Sequence, residues 1–567
     1  MGQVADAKNN DATTYSQFAC IGAGFSAIGL GATLKRWYGI TDVRFFERHS
    51  KLGGTWHINQ YPGCACDVPS MLYSYSYEPN PNWSRPLPPR EELFQYLKTV
   101  AEKYDLPPKM TFNVNVDRCE WLEDRSVWRL HMHDRKTGKV HIHECQFLFA
   151  ASGLLVTPRE LDVPGKETFK GPLFHSAEWR HDVDLTDKRV VLFGNGCTAT
   201  QIVPEIVGKT KHLTQVVRSK HWIYPPSISG AALQQLKFLR NHVPFSMLVQ
   251  RFIVFLGAER EWRGFGMSAA AARFRKSRRE RAEKYIKSLA PEKYHELLIP
   301  DFEVGCKRRI FNTGYLECLD ADNFVLTDKK VLEIVPEGVR TEDGIIPADV
   351  IIAANGFQTA NGFMPGIEVI GRDGETAREH WEQFGGAEAY QSSVMSGFPN
   401  FFLLLGPNAA TGHTSAVMAS ENSINYALRV IKPVLDGRAS AAEIKLEAEQ
   451  AYVEEIHRDL EKTVWHSGCK SWYVHDLEDG KRWNDQTYPW SQAYYWYRSL
   501  FPVWSDWQYS RGKDMYQYKP RRTFLALLAM VLSVVLPILF SEQLRLDLLG
   551  YIPAIRSNLA SVRSRWL

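Results

Sequence analysis

This 567-residue sequence predicts an α/β fold carrying two glycine-turn βαβ units, with one unit's domain inserted into the other's. Three observations predict it. First, an apolar strand, Gln17 to Ile21, runs into Gly22-Ala23-Gly24-Phe25-Ser26-Ala27. A helix over Ile28 to Tyr38 follows, and a second strand, Val43 to Phe46, ends in Glu47. Second, the order returns about 170 residues later. Arg189 to Phe193 meets Gly194-Asn195-Gly196-Cys197-Thr198-Ala199, then a helix, then Leu213 to Val217 ending in Arg218. Third, the length suits two or three domains rather than one core. Asp349 to Gly356 reads as a further buried strand ending in glycine. The partition expected is 1–156 for the first part of the outer domain, 157–345 for the inserted domain with a helical insertion at 231–290, and 346–519 for the rest of the outer domain.

The flanks and the composition narrow the classes. A formal net charge of +4 is small for this length and does not point to nucleic acid. The nine cysteines are odd in number and include no Cys-x-x-Cys pair or zinc spacing, so no metal is expected and all are read as reduced thiols. Arg273, Arg275, Lys276, Arg278, Arg279 and Arg281 form a basic run that reads as a solvated helix face, with contact to membrane headgroups or to the NADPH phosphates as the alternative. Met1 to Ser16 is polar and reads as a disordered leader without a secretory signal. Phe524 to Phe540 is a run of 17 residues without a charge, with Lys519, Arg521 and Arg522 before it and Glu542 and Arg545 after it. At 1.5 Å per residue it spans about 26 Å, enough for a hydrocarbon core. The expectation is a transmembrane segment over 523–540, a basic tail over 541–567 and a membrane-anchored chain with its catalytic part in the cytosol. A buried helix packed on the rest is the alternative.

The glycine turns carry a phosphate-binding logic. In each Rossmann-like unit the first glycine (Gly22, Gly194) permits the tight turn. The second (Gly24, Gly196) lets backbone approach a pyrophosphate. The small third residue (Ala27, Ala199) packs helix on sheet, and the helix N-terminus, with Asn195, Cys197 and Thr198 in the second unit, faces the phosphates. The strand ends separate the two sites. Glu47 can accept both ribose hydroxyls of an adenosine lacking a 2′-phosphate, whereas Arg218, followed by Ser219 and Lys220, can clamp a 2′-phosphate. The first site is thereby assigned FAD and the second NADPH.

Between the turns lies Phe169-x-Gly171-x-x-x-His175-x-x-x-Trp179. Further matching segments are Gly53-Gly54-Thr55-Trp56, Tyr61-Pro62-Gly63 with Asp67, Gly305-Cys306-Lys307-Arg308, Gly397-Phe398-Pro399-Asn400 and Gly406-Pro407-Asn408. In these the sequence resembles the type I Baeyer–Villiger monooxygenases over about Phe18 to Trp507. The resemblance implies an FAD- and NADPH-dependent enzyme that uses O2 to turn a ketone into an ester or lactone. It also implies that Arg308 is the cation holding developing negative charge on oxygen, with Asp67 orienting it. Gly54, Thr55, Trp56 and Tyr73 would pack around the flavin and nicotinamide, with a place in the core as the alternative for Tyr73, and His175 would be a linker rather than a base. The aromatic content and the apolar C-terminal run suggest a lipophilic substrate, as in secondary metabolism. Two rivals are hydroxylation, epoxidation or heteroatom oxidation, and a membrane-anchored scaffold without activity. A disulfide reductase is disfavoured, because no redox dithiol stands beside the flavin turn.

Overall fold

The first βαβ unit forms from β1 (Thr14–Ile21), α1 (Phe25–Tyr38) and β2 (Val43–Glu47). β1 takes the centre because Phe18, Ala19 and Cys20 are all fully buried, which suits a strand covered on both faces. α1 packs closely on the sheet through small residues: a Cβ on Gly31 would come within 2.8 Å of the Phe45 ring. After α2 (Thr55–Ile58) and α3 (Arg90–Lys103), β3 (Met110–Phe112) extends the sheet. A meander of β4 (Val114–Leu122), β5 (Val127–Asp134) and β6 (Val140–Ala150) then returns to pair with β1. A register shift between Val116 and Arg118 lets Val114, Val116, Cys119 and Trp121 all face the core despite the odd spacing. In this computed structural model the described residues are 13–516, apart from 227–229, 360–362, 478–479, 481 and 512–513.

The second sheet takes β7 (Leu173–His175), β8 (Arg189–Phe193) and β9 (His212–Val216), with α4 (Cys197–Ile206) joining the last two. Three helices follow: α5 (Gly230–His242), α6 (Ser246–Glu259) and α7 (Ala269–Leu289). β10 (Ile223–Tyr224) pairs β11 (Ile310–Phe311) across them. β12 (Phe324–Thr327) then joins the sheet, a small meander of β13 (Val331–Val335), β14 (Gly338–Thr341) and β15 (Gly344–Pro347) packs against it, and β16 (Val350–Ala353) completes it in the parallel order β12-β9-β8-β16-β7. The chain then returns to the first sheet, where β17 (Glu368–Ile370) pairs β4 and β18 (Phe401–Leu403) pairs β6.

Two expectations change. The inserted domain does not stop at residue 345. β16 lies between β7 and β8, so the second sheet ends at Ala353 and the outer domain resumes with β17. Four consecutive buried apolar residues fit a central strand of either sheet, and only pairing decides. The cysteines are not all free thiols: Cys306 and Cys469 form a disulfide across 163 residues, with Cα atoms 6.4 Å apart. The transmembrane expectation for 523–540 falls outside the described residues. Among the described residues no helix is long and apolar enough to cross a membrane.

Candidate active site

Both glycine turns open into one cleft of about 1770 Å³. At the first turn, Gly22 has φ +107°, and a Cβ there would sit 2.5 Å from the Ala151 carbonyl oxygen at the end of β6. The Gly53-Gly54 segment crosses close by: a Cβ on Gly54 would come 3.0 Å from the Gly24 Cα. No side chain caps α1, so its first N–H groups are left for a ligand. Glu47 lines the cleft and is buried. Its Oε2 accepts from the Ala23 amide (2.9 Å), and its Oε1 accepts from the His49 amide (2.9 Å) and approaches His49 Nδ1 (2.7 Å). Burial pushes its pKa up, but the contacts from His49 and Ala23 outweigh burial and hold it below the usual carboxylate range, so it stays ionised. Trp56 and Tyr73 meet edge to face at 5.6 Å, with Phe25 at 5.1 Å on the other side of Tyr73, and all three line the same end.

The second turn repeats the construction. Gly194 has φ +117°, and a Cβ there would sit 2.2 Å from the Ala354 carbonyl oxygen at the end of β16. A Cβ on Gly196 would meet nothing within 4 Å, so this part of the turn opens into free space. Asn195 is buried and positioned by the Tyr315 hydroxyl, which donates to it at 3.3 Å. Arg218, two residues past β9, is exposed at the cleft edge beside Ser219 and has no carboxylate partner among the described residues. Lys307 is close enough that burial first, and then the Arg218 charge, lower its basicity. Ala27 and Ala199 are fully buried and pack helix on sheet rather than lining the cleft.

A charged pair lines the same cleft as the two turns. Arg308 donates through Nε to Asp67 Oδ2 (2.5 Å) and through Nη2 to Oδ1 (2.7 Å), and both residues line the cleft. This bidentate fork leaves the Nη1 edge clear of the carboxylate. Burial raises the Asp67 carboxyl, but Arg308 outweighs it and keeps Asp67 ionised; the Asp67 charge in turn pushes Arg308 well above its ordinary value. The Cys197 thiol, at the start of α4, lies 3.6 Å from Asp67 Oδ2 and so joins the second turn to the pair. Asp67 reaches this point because Tyr61-Pro62-Gly63 packs on α4. The Tyr61 hydroxyl donates to Gln201 Oε1 (2.9 Å), and a Cβ on Gly63 would strike the Gln201 carbonyl at 2.4 Å. Sequence reasoning missed Tyr473, which is buried beside Arg308, and no local signal marks it. The Cys306–Cys469 bridge brings its segment there.

The signature residues do not line the cleft. Phe169 packs on the core of the second sheet, Gly171 sits where a Cβ would strike the Asp349 carbonyl at 2.2 Å, and Trp179 meets Phe174 edge to face. His175 is buried. Its Nδ1 accepts from the Ala177 amide (3.1 Å), which leaves Nε2–H to donate to the Gly356 carbonyl (3.0 Å). Burial lowers its basicity, so it is a neutral tie between β7 and the loop after β16. Gly397-Phe398-Pro399-Asn400 is likewise a packing element, with Trp128 Nε1 donating to the Pro399 carbonyl at 2.7 Å.

Two capless helix starts, a buried ionised carboxylate at one strand end and, at the other, an arginine without a carboxylate partner among the described residues fit two dinucleotides, the second phosphorylated on its ribose. This defines a two-nucleotide flavoprotein. Residues 16–230 match the family model described as flavin-binding monooxygenase-like. The chain is 34% identical over 477 residues to a Baeyer–Villiger monooxygenase of Pseudomonas aeruginosa, covering 82% of this chain and 86% of that one. It is 33% identical over 476 residues to a Baeyer–Villiger monooxygenase of Streptomyces coelicolor, covering 82% and 88%. Among solved structures, a steroid monooxygenase bound to NADP superposes with a TM-score of 0.75 at 26% identity, over 88% of this chain and 100% of that one. OTEMO in complex with FAD and NADP superposes with a TM-score of 0.74 at 25% identity, over the same shares. The chain belongs to the Baeyer–Villiger monooxygenase family and is an FAD- and NADPH-dependent monooxygenase.

Proposed function

We propose that this enzyme converts a lipophilic ketone, O2, NADPH and a proton into an ester or lactone, NADP⁺ and water. The observation that carries the reading is the Arg308–Asp67 fork at the junction of the two glycine turns. Bound flavin would supply hydride acceptance from the nicotinamide and activation of O2. The chain would supply the rest. Glu47 would hold the ribose of FAD and Arg218 with Ser219 the 2′-phosphate of NADPH. The Nη1 edge of Arg308 would face the negative charge that develops on oxygen when a carbonyl is attacked. Trp56, Tyr73, Leu154, Leu155, Phe357 and Trp472 line the same cleft and favour an apolar substrate. Incubating the enzyme with a ketone, a sulfide and an amine under labelled O2 tests the reaction. Ester or lactone carrying one labelled oxygen supports it, and oxygenation of the sulfide or amine alone overturns it.

Two further results are expected. Arg218→Ala should raise the KM for NADPH about ten- to a hundred-fold, the loss of one charge-assisted contact, and leave NADH nearly unchanged. Equal losses for both would make Arg218 structural. The uncharged run Phe524 to Phe540, with its flanking cations, is the basis for proposing that the chain is membrane-bound, with its catalytic part on the cytosolic side. Full-length protein should then sediment with membranes and need detergent for release. Recovery in the supernatant without detergent would refute this.

A further inference from the structure

Helices α5 and α6 are an anomaly in a folded surface. α6 buries none of its residues. Phe245, Leu248, Val249, Phe252, Ile253 and Leu256 recur at spacings of one, three and four, which places them on one helical face, and that face points to solvent. Phe245 is 79% exposed and Ile253 62%. α5 adds Phe238, 65% exposed, and Val243 beside it adds to the same surface. Polar anchors hold α6 to the enzyme, Arg251 on the face opposite the stripe and Glu259 at the helix's C-terminal end. Arg251 Nη1 donates to the Met71 carbonyl (2.6 Å) and the Ser74 carbonyl (3.1 Å), and Glu259 accepts from the Ala493 amide (3.0 Å) beside His413 Nε2 (2.9 Å). The helix therefore wears its apolar side outward. A soluble monomer seldom exposes so many large apolar groups together unless something covers them.

The charges around the stripe identify the cover. Lys237, Arg260, Arg263, Arg273 and Lys276 are exposed on α5, at the end of α6 and in the first turns of α7, with no carboxylate partner among the described residues. The nearby acids are already occupied inside the protein: Glu259 as above, and Glu261 by Arg278 and Arg309. An apolar stripe flanked by several cations without carboxylate partners among the described residues complements anionic lipid, with the side chains in the acyl boundary and the cations among headgroups. The anchor residue Glu259 adjoins His413, whose neighbours Thr411, Gly412 and Thr414 line the cleft. We propose that the α5–α6 hairpin docks on an anionic lipid bilayer and brings this end of the cleft to the membrane surface. The proposal does not depend on the reaction catalysed.

The test uses the full chain and vesicles of phosphatidylcholine, alone or mixed with phosphatidylserine, in a flotation assay. Wild-type protein should float with both and more completely with phosphatidylserine. The triple variant Phe245→Ser/Phe252→Ser/Ile253→Ser changes only exposed positions, and unchanged circular dichroism would show that it folds. Its apparent vesicle affinity should fall about ten-fold or more. Arg260→Glu/Arg263→Glu should lose the preference for phosphatidylserine. Wild-type-like binding by the triple variant would assign docking to another part of the chain and overturn the proposal. So would wild-type protein that ignores vesicles, including the case where it elutes as a dimer that the triple variant converts to a monomer; there the stripe would bind a second copy.

Discussion

Arg308→Ala is expected to give an FAD-loaded protein that NADPH still reduces but whose ester or lactone yield falls about a hundred- to a thousand-fold, the usual loss when one donor to a developing oxyanion is removed. The two halves of the reaction make different demands on the chain. Hydride transfer needs the nucleotides held by their glycine turns, and neither turn touches Arg308 directly. Attack on a carbonyl places negative charge on oxygen, and Arg308 is the cation that Asp67 fixes in the cleft between those turns. Without it, NADPH oxidation should continue and its electrons should leave as hydrogen peroxide. Arg308→Lys should recover little, because an ammonium cannot make the Nε–Nη2 fork to both Asp67 oxygens and still present a second edge. Stopped-flow absorbance of flavin reduction, a peroxide assay and product analysis separate these outcomes. Near-normal ester formation by Arg308→Ala would refute the assignment, and a protein that can no longer be reduced would make the pair structural.

What the sequence shows and hides here follows the range of each interaction. The glycine turns, Glu47 and Arg218 were legible because a turn and the strand beside it lie within a few dozen residues and obey local sterics. The Arg308–Asp67 pair spans 241 residues and could be named only through family resemblance. Pairing of β16 was illegible, since Val350 to Ala353 is buried on both faces and would satisfy either sheet. The Cys306–Cys469 bridge and the approach of Tyr473 to Arg308 were hidden for the same reason. The outward stripe of α6 was hidden differently. Periodicity says that a helix has an apolar face but not what that face meets, and Phe252 and Ile253 would read identically in a core.

The same small lesion placed in each glycine turn should disable different cofactors. Gly22→Ala is expected to yield protein without bound flavin, with FAD affinity lowered about a hundred-fold, or about 2.7 kcal/mol. Gly194→Ala is expected to stay yellow and to lose reduction by NADPH to a similar degree. Both glycines have positive φ, +107° and +117°, where a side chain is strained whatever the space. In addition the new methyl would sit 2.5 Å from the Ala151 carbonyl oxygen or 2.2 Å from that of Ala354, each a backbone atom at the end of a central strand. Neither oxygen can swing aside as a side chain would, so the turn itself must retreat, and with it the amides at the start of α1 or α4. The Arg308–Asp67 fork lies between the two turns and bonds to neither glycine, so each lesion should remain in its own site. The visible flavin spectrum of the purified variants, with stopped-flow reduction of any that stay yellow, reads the two results apart. Flavin loss from Gly194→Ala with retention in Gly22→Ala would reverse the assignment of the sites. Loss of flavin in both would mean that the turns fold as one unit, and that the second does more than hold NADPH.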